Sequence, residues 1–182
     1  MRIDTVLPEL DTIADETLRT NVSAAWTLAA EENDIDVAEL ASVPWLPPEQ
    51  KELGIAPEEA TLVGHVRDVT ACAVGLAESI SERRSEPELD IDTVVAGALV
   101  HDVSKLYEYD GMEKTEIGTL LGHPYFGGAV TARADLPAEL SHIVLSHTHR
   151  TTVEPATLEA EIVRRADEVA AAAIRAPAVS DL

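Results

Sequence analysis

Between Leu62 and Ile80 the apolar side chains fall at Leu62, Val66, Val69, Ala73, Leu76 and Ile80, in alternating steps of four and three. That period lines one face of an α-helix and scatters over both faces of a strand. Nowhere does the chain offer the opposite signal, a β-branched run of period two between turn residues, and it carries no internal repeat or low-complexity stretch. An all-α protein is predicted, a bundle of about six or seven helices.

Turn residues and caps divide the chain further. Residues 11–31 read as a first helix that Asp11 can cap, followed by a connection broken by Pro44, Pro47 and Pro48. The second helix is predicted to start near Pro57, with Glu58 and Glu59 at the positive end of its dipole, and to run to Arg83. A third spans 91–107 with Val94, Val95, Ala98 and Leu99 inward, and Asp110-Gly111 turns the chain after it. Shorter helices cover 116–121, 124–134 and 137–147. The last, 158–175, has Thr157 as its cap and Leu158, Ile162, Val163, Ala166, Ala170, Ala173 and Ile174 as its stripe. Two parts are expected: residues 1–56, whose amphipathic helix either completes the bundle or pairs with a second chain as a homodimer, and a main domain over 57–182.

Composition narrows the partners. Of 182 residues 46% are hydrophobic, which suits one compact domain. No apolar run reaches the roughly 20 residues of a membrane span, and the first ten residues lack the pattern of a signal peptide, so a cytoplasmic protein without a membrane partner is expected. The 34 acidic residues outnumber 13 basic ones for a net charge of −21, and only Lys51, Lys105 and Lys114 are lysines. Such a surface repels nucleic acid and resembles the halophilic composition of salt-accumulating haloarchaea, where concentrated salt screens self-repulsion. The single cysteine, Cys72, excludes an internal disulfide and any cysteine-built metal cage within one chain.

Several ionisable residues sit where apolar ones belong. Asp167 follows Val163 by four and precedes Ala170 by three, so it points into the apolar stripe, with Arg164, Arg165 and Glu168 assigned to the wet side. His65 follows Leu62 by three, and His147 follows Ile143 by four. A buried ionised carboxylate without a partner costs many kcal/mol, so Asp167 must be paired, neutralised or bound to a metal. His65, His101, Asp102 and Asp167 together place two imidazoles and two carboxylates on three helices of one small domain. That set suits a divalent cation with nitrogen and oxygen preferences.

The ordered pattern His65, then His101-Asp102, then Asp167 resembles the HD superfamily of metal-dependent phosphohydrolases over residues 57–175. His101-Asp102-Val103-Ser104-Lys105 is similar to that family's extended HDxxK signature. His123, within Gly122-His123-Pro124-Tyr125, and His147 fall at intervals similar to the extra histidines of dinuclear members. The resemblance implies an HD-domain helical bundle and a first divalent transition metal held by His65, His101, Asp102 and Asp167. It implies a second held by His123 and His147, with Asp102 bridging; Fe, Mn, Co, Ni and Zn all suit these donors. The implied reaction is attack of a metal-bound hydroxide on a phosphoester or phosphoanhydride of a small molecule such as a nucleotide.

Lys105, one turn after His101, and Asp102 are the candidate catalytic residues, and Arg150 and His149 are candidates for holding phosphate. Arg67 and Asp68 could orient His65, and His142 reads as structural or exposed. Four of the six aromatic residues, Tyr107, Tyr109, Tyr125 and Phe126, lie within twenty positions beside these candidates. Tyr107 and Tyr125 are therefore candidates for stacking on a flat substrate group. Two other readings share the ligand set: a di-iron oxygenase acting on a phosphorylated or polyol substrate, and a non-catalytic metal-binding module.

Overall fold

The computed structural model describes residues 2–178. The helical periods become eight α-helices: α1 (Glu16–Glu32), α2 (Pro47–Leu53), α3 (Leu62–Ser81), α4 (Ile91–Val100), α5 (Glu116–Leu120), α6 (Gly122–Arg133), α7 (Ala138–Ser146) and α8 (Leu158–Arg175). The only strands among the described residues are β1 (Tyr109–Asp110) and β2 (Glu113–Lys114), an antiparallel pair around the turn expected at Asp110-Gly111. The chain is thus an all-α bundle, and no described helix is long and apolar enough to cross a membrane.

α4 is the axis. It is apolar on all sides, and every residue from Thr93 to Val100 is buried, as a helix surrounded by other helices must be. α1, α3, α7 and α8 all pack on it. Two glycines permit close approaches between helices: a Cβ on Gly97 would stand 2.7 Å from Ile143 of α7, and one on Gly127 of α6 would stand 2.3 Å from Val144. The N-terminal segment shares this core, since Leu7, Leu10, Trp26, Leu40 and Trp45 cluster with Val66, Leu99 and Val163. α1 therefore completes the bundle. Its Trp26 is wholly buried and donates its indole N–H to the Leu99 carbonyl at 2.9 Å, one of the carbonyls left free at the end of α4.

Several boundaries differ from expectation, each for a local reason. Asp11 lies in a 3-10 turn, Pro8–Thr12, and Ile13 is extended, so α1 starts at Glu16 with Asp15 as its cap, accepting from the Thr17 and Leu18 amides at 2.8 and 2.9 Å. The proline-broken connection contains α2, because Pro47 and Pro48 occupy its first two positions and Gly54, at φ 71, ends it in the left-handed region. Pro57–Glu59 forms a separate 3-10 turn; Thr61 then bridges back to Pro44 and caps α3 through the Gly64 amide at 3.1 Å. Leu76 is 40% exposed and Ala173 is exposed, so the stripes of α3 and α8 bury fewer residues than their periods suggest.

The third helix stops at Val100 where continuity to residue 107 was expected. His101 still has helical angles, but Asp102 sits at φ −112, ψ 6, and Val103–Tyr107 continues as a 3-10 turn. That angle pair belongs to the sparsely allowed bridge region in which many active-site residues lie.

Replacing Trp26 by Phe should cost about 2–3 kcal/mol of unfolding free energy in urea titrations, through lost volume and an unpaired buried carbonyl. Because the net charge is −21, the melting temperature should also rise as KCl is raised from dilute to molar concentration.

Candidate metal centre

Five elements deliver the site. His65 lies in the first turn of α3, His101 and Asp102 at the break after α4, His123 in the first turn of α6, His147 at the end of α7, and Asp167 midway along α8. All but Asp167 are buried, and the Asp167 side chain is 16% exposed.

Asp102 stands at the centre. Its Oδ2 is 3.5 Å from the Nε2 atoms of both His65 and His101, and its Oδ1 is 3.2 Å from His123 Nε2 and 3.5 Å from His147 Nε2. Asp167 Oδ1 closes the first side, 2.9 Å from His65 Nε2 and 3.8 Å from His101 Nε2. One group of possible ligand atoms is thus His65, His101 and Asp102, another is Asp102, His123 and His147, and within each the atoms lie within 4.8 Å of one another.

Three of the four opposite ring nitrogens are already engaged, while His65 Nδ1 is buried without a partner. His101 Nδ1 is 2.6 Å from the Ala98 carbonyl, His147 Nδ1 is 2.7 Å from the Val144 carbonyl, and His123 Nδ1 is 2.8 Å from Glu108 Oε2. Bonds to acceptors place the proton on Nδ1 of a neutral ring and leave the Nε2 lone pair facing the centre, the arrangement that outer partners impose on metal-binding histidines. The Nε2 atoms of His65 and His101 face each other at 3.4 Å. Asp102 Oδ1 is buried and accepts no hydrogen bond. Lone pairs turned inward on a buried oxygen without a donor fit a cation, and four imidazoles with two carboxylates fit a borderline divalent one.

Electrostatics agree. Burial alone would raise the Asp102 carboxyl, but the Lys105 charge and the neighbouring imidazoles outweigh it and hold the group well below the usual carboxylate range. Asp167 is likewise opposed by burial, yet the His65 hydrogen bond and the nearby imidazoles bring it to about 2. Burial, reinforced by Lys105, lowers His123 to about 3, and burial lowers His65. Both rings are therefore neutral near pH 7. His101 is the exception: burial opposes its charge, but Asp102 outweighs burial and raises the ring above its ordinary value.

Around this centre lies a polar cavity of about 250 Å³, bounded by Trp45, Lys105, Thr148, Arg150 and Arg175 with the inner His and Asp residues. Lys105 is buried, its ammonium 3.8 Å from Asp102 and 3.9 Å from Glu108. Arg150 lines the cavity with Nη1 3.5 Å from Glu108 Oε1. His149 does not line it: its side chain is 72% exposed and bonded to Glu168 and Arg164. Arg164, assigned to solvent by periodicity, is buried on Glu154 and His149. Tyr107 is taken up by the core, packed on Phe126 and donating to Glu32 at 2.7 Å, while Tyr125 is 43% exposed beside Thr152; neither lines this cavity. Arg67 pairs with Glu9 on the surface rather than orienting His65, and His142 is structural, accepting from the Ala156 amide at 2.9 Å.

Three residues at the site escape sequence reasoning. Glu108 is buried against His123, and α5 can approach it because a Cβ on Gly118 would stand 2.2 Å from the Glu108 carbonyl oxygen. A carboxylate three residues after Lys105, at the end of an apolar run, was the available signal. Trp45 donates its indole N–H to Asp102 Oδ2 at 3.0 Å and stacks on His65 at 4.1 Å. Arg175 lies 5.0 Å over the Trp45 ring. Neither of these two has a local sequence signature, because each meets the site only across the fold.

Residues 62–172 match the model of the HD domain family, and the chain belongs to that family. Among characterised proteins it is 35% identical over 119 residues to the dihydroneopterin 2',3'-cyclic phosphate phosphodiesterase of Methanocaldococcus jannaschii. The alignment covers 60% of this chain and 46% of that relative, so the chain spans about half the relative's length. No solved structure matches the chain.

Divalent Mn or Fe(II), added at a hundredfold excess over its dissociation constant, should stabilise the protein by about 2.7 kcal/mol. For a domain of this size that is roughly 5–10 °C in melting temperature. A chelator should reverse the shift, and Asp102→Ala should remove it.

Proposed function

We propose that this chain is a metal-dependent phosphohydrolase that cleaves a phosphoester or phosphoanhydride of a small molecule. The observation that carries the reading is the meeting, in one small cavity, of a nitrogen and oxygen cluster with three cations, Lys105, Arg150 and Arg175. The nitrogen and oxygen cluster alone would suit many divalent-metal chemistries; a cationic rim adds recognition of a phosphate. Family membership and the phosphodiesterase relative support the same class. A cyclic 2',3'-phosphodiester of a nucleoside or a pterin is the substrate class we favour.

In this reading His65, His101, Asp102 and Asp167 would hold one ion, and Asp102, His123 and His147 would hold a second. Bound there, one or two divalent transition ions supply Lewis acidity toward the phosphoryl group and its attacking water. The remaining work falls to the chain itself. Glu108 and the carbonyls of Ala98 and Val144 fix three of the imidazole rings and the Trp45 indole stacks on the fourth, His65, so the donor set is preorganised. Lys105 and Arg150 pair with the phosphoryl oxygens and stabilise the charge that grows on them. Hydrolysis joins the water oxygen to phosphorus and breaks the bond to the ester oxygen, which takes a proton from the Lys105 ammonium as it departs; the proton that the attacking water loses then restores the lysine. The same rim favours hydrolysis over dioxygen chemistry on a di-iron pair, and the acid-rich composition supports catalysis in concentrated salt.

The test is a phosphate-ester screen over 2',3'-cyclic nucleotides and pterin cyclic phosphates in molar KCl, with metal content measured on the same anaerobically purified protein. His123→Ala should lower the metal content from two ions to one and reduce turnover by about 10²-fold or more. Lys105→Ala should lower kcat with metal content intact. Dioxygen uptake by the Fe(II) protein without phosphoester cleavage would overturn the reading.

A further inference from the structure

A second and larger cavity adjoins the metal centre. It has a volume of about 940 Å³ and shares Trp45 and Lys105 with the smaller one. Its walls come from the end of α1, the loop and α2 between Val43 and Pro57, and the hairpin around Gly111. Most of that wall precedes residue 62, where the family match begins. The space around the imidazoles, about 250 Å³, accepts a phosphoryl group and little more, whereas the larger cavity falls within the roughly 300–1,000 Å³ typical of small-molecule sites.

We infer that this larger cavity binds the organic half of the substrate, a flat neutral heterocycle bearing amino groups, while its phosphate lies across the Trp45 and Lys105 boundary. The inference rests on the phosphohydrolase reading for its phosphate end. Lys105 fixes the boundary: its side chain is 5% exposed, it faces both cavities, and its carboxylate neighbours at 3.8 and 3.9 Å stand beyond hydrogen-bond reach. The ammonium therefore keeps donors to spare, and the phosphate of a ligand lying across the boundary would accept them.

The chemistry of the walls selects the ring. Ile35, Val43, Ile55 and the Trp45 indole offer apolar surface against which a planar group can lie. Asp34 and Asp110 add carboxylates, which only accept hydrogen bonds, so the ligand edge they meet must donate. Lys51 and Lys105 also line the cavity, so the two carboxylates select by hydrogen bonding rather than by net charge, and the donor edge they call for fits the amino edge of a guanine or pterin ring.

Calorimetry with guanosine and neopterin, neither carrying phosphate, tests the cavity apart from catalysis. Both should bind the metal-free protein. Met112→Trp, which fills the cavity from a position already 44% exposed, and the double variant Asp34→Asn/Asp110→Asn should each weaken that binding about tenfold. Asn is compatible with the positive φ of 54 at Asp34. In steady-state assays the same variants should raise KM for guanosine 2',3'-cyclic phosphate about tenfold more than for glycerol 1,2-cyclic phosphate, which has no ring. Absence of guanosine and neopterin binding, or equal KM changes for the two esters, would overturn the cavity assignment and leave the hydrolase reading intact. Variant-sensitive guanosine binding without hydrolysis of any ester would retain the cavity as a heterocycle site and overturn the hydrolase reading instead.

Discussion

A carboxylate buried among four imidazoles is the constraint on which this structure turns. Asp102 cannot stay ionised in an apolar core without compensation, and the compensation comes from Lys105 and from imidazoles carried by α3, α6, α7 and the break after α4. Helix packing here has two tasks, excluding water from the apolar core and bringing Nε2 atoms to both oxygens of one side chain. The break after α4 serves both. It ends an entirely buried helix at the point where a polar group is wanted, and its free carbonyls are taken by His101 and by Trp26.

The surroundings show how little latitude that arrangement has. α6 and α7 meet at Gly127 and Val144, just inside the two histidines they carry, and α5 touches the Glu108 carbonyl at Gly118. A methyl group at either glycine would push apart elements whose ends are the donor atoms. The imidazoles are oriented by backbone carbonyls in two cases and by a buried carboxylate in the third. The main chain of α4 and α7 is thereby part of the site, and rigidity in the bundle becomes precision in the donor set.

Much of this could be read from the sequence, for a definite reason. A charged residue in an apolar stripe violates the helical pattern, and His65, His147 and Asp167 each announce themselves in that way. The long helices were legible from their periods, and the cap at Thr157 from residue type, whereas the start of α3 and its Thr61 cap were not. What was not legible is what depends on distance. Arg164 has the period of a surface residue but is drawn inward by Glu154 and His149. The tyrosines cluster along the chain without clustering at the cavity, because Tyr107 faces α1 across the fold. Trp45 stands alone between prolines, and only the bridge from Pro44 to Thr61 brings it onto His65.

That bridge has a consequence for how the molecule can change. The indole that roofs one half of the centre belongs to a stretch lying before the matched family region, while the donors beneath it lie within that region. Roof and floor are written in different parts of the chain and joined by two backbone hydrogen bonds, Trp45 to Ala60 and Leu62 to Val43. Drift in the leading stretch can therefore reshape what enters from above while the inorganic chemistry below keeps its coordinates, a division of labour that lets selectivity and reactivity diverge independently.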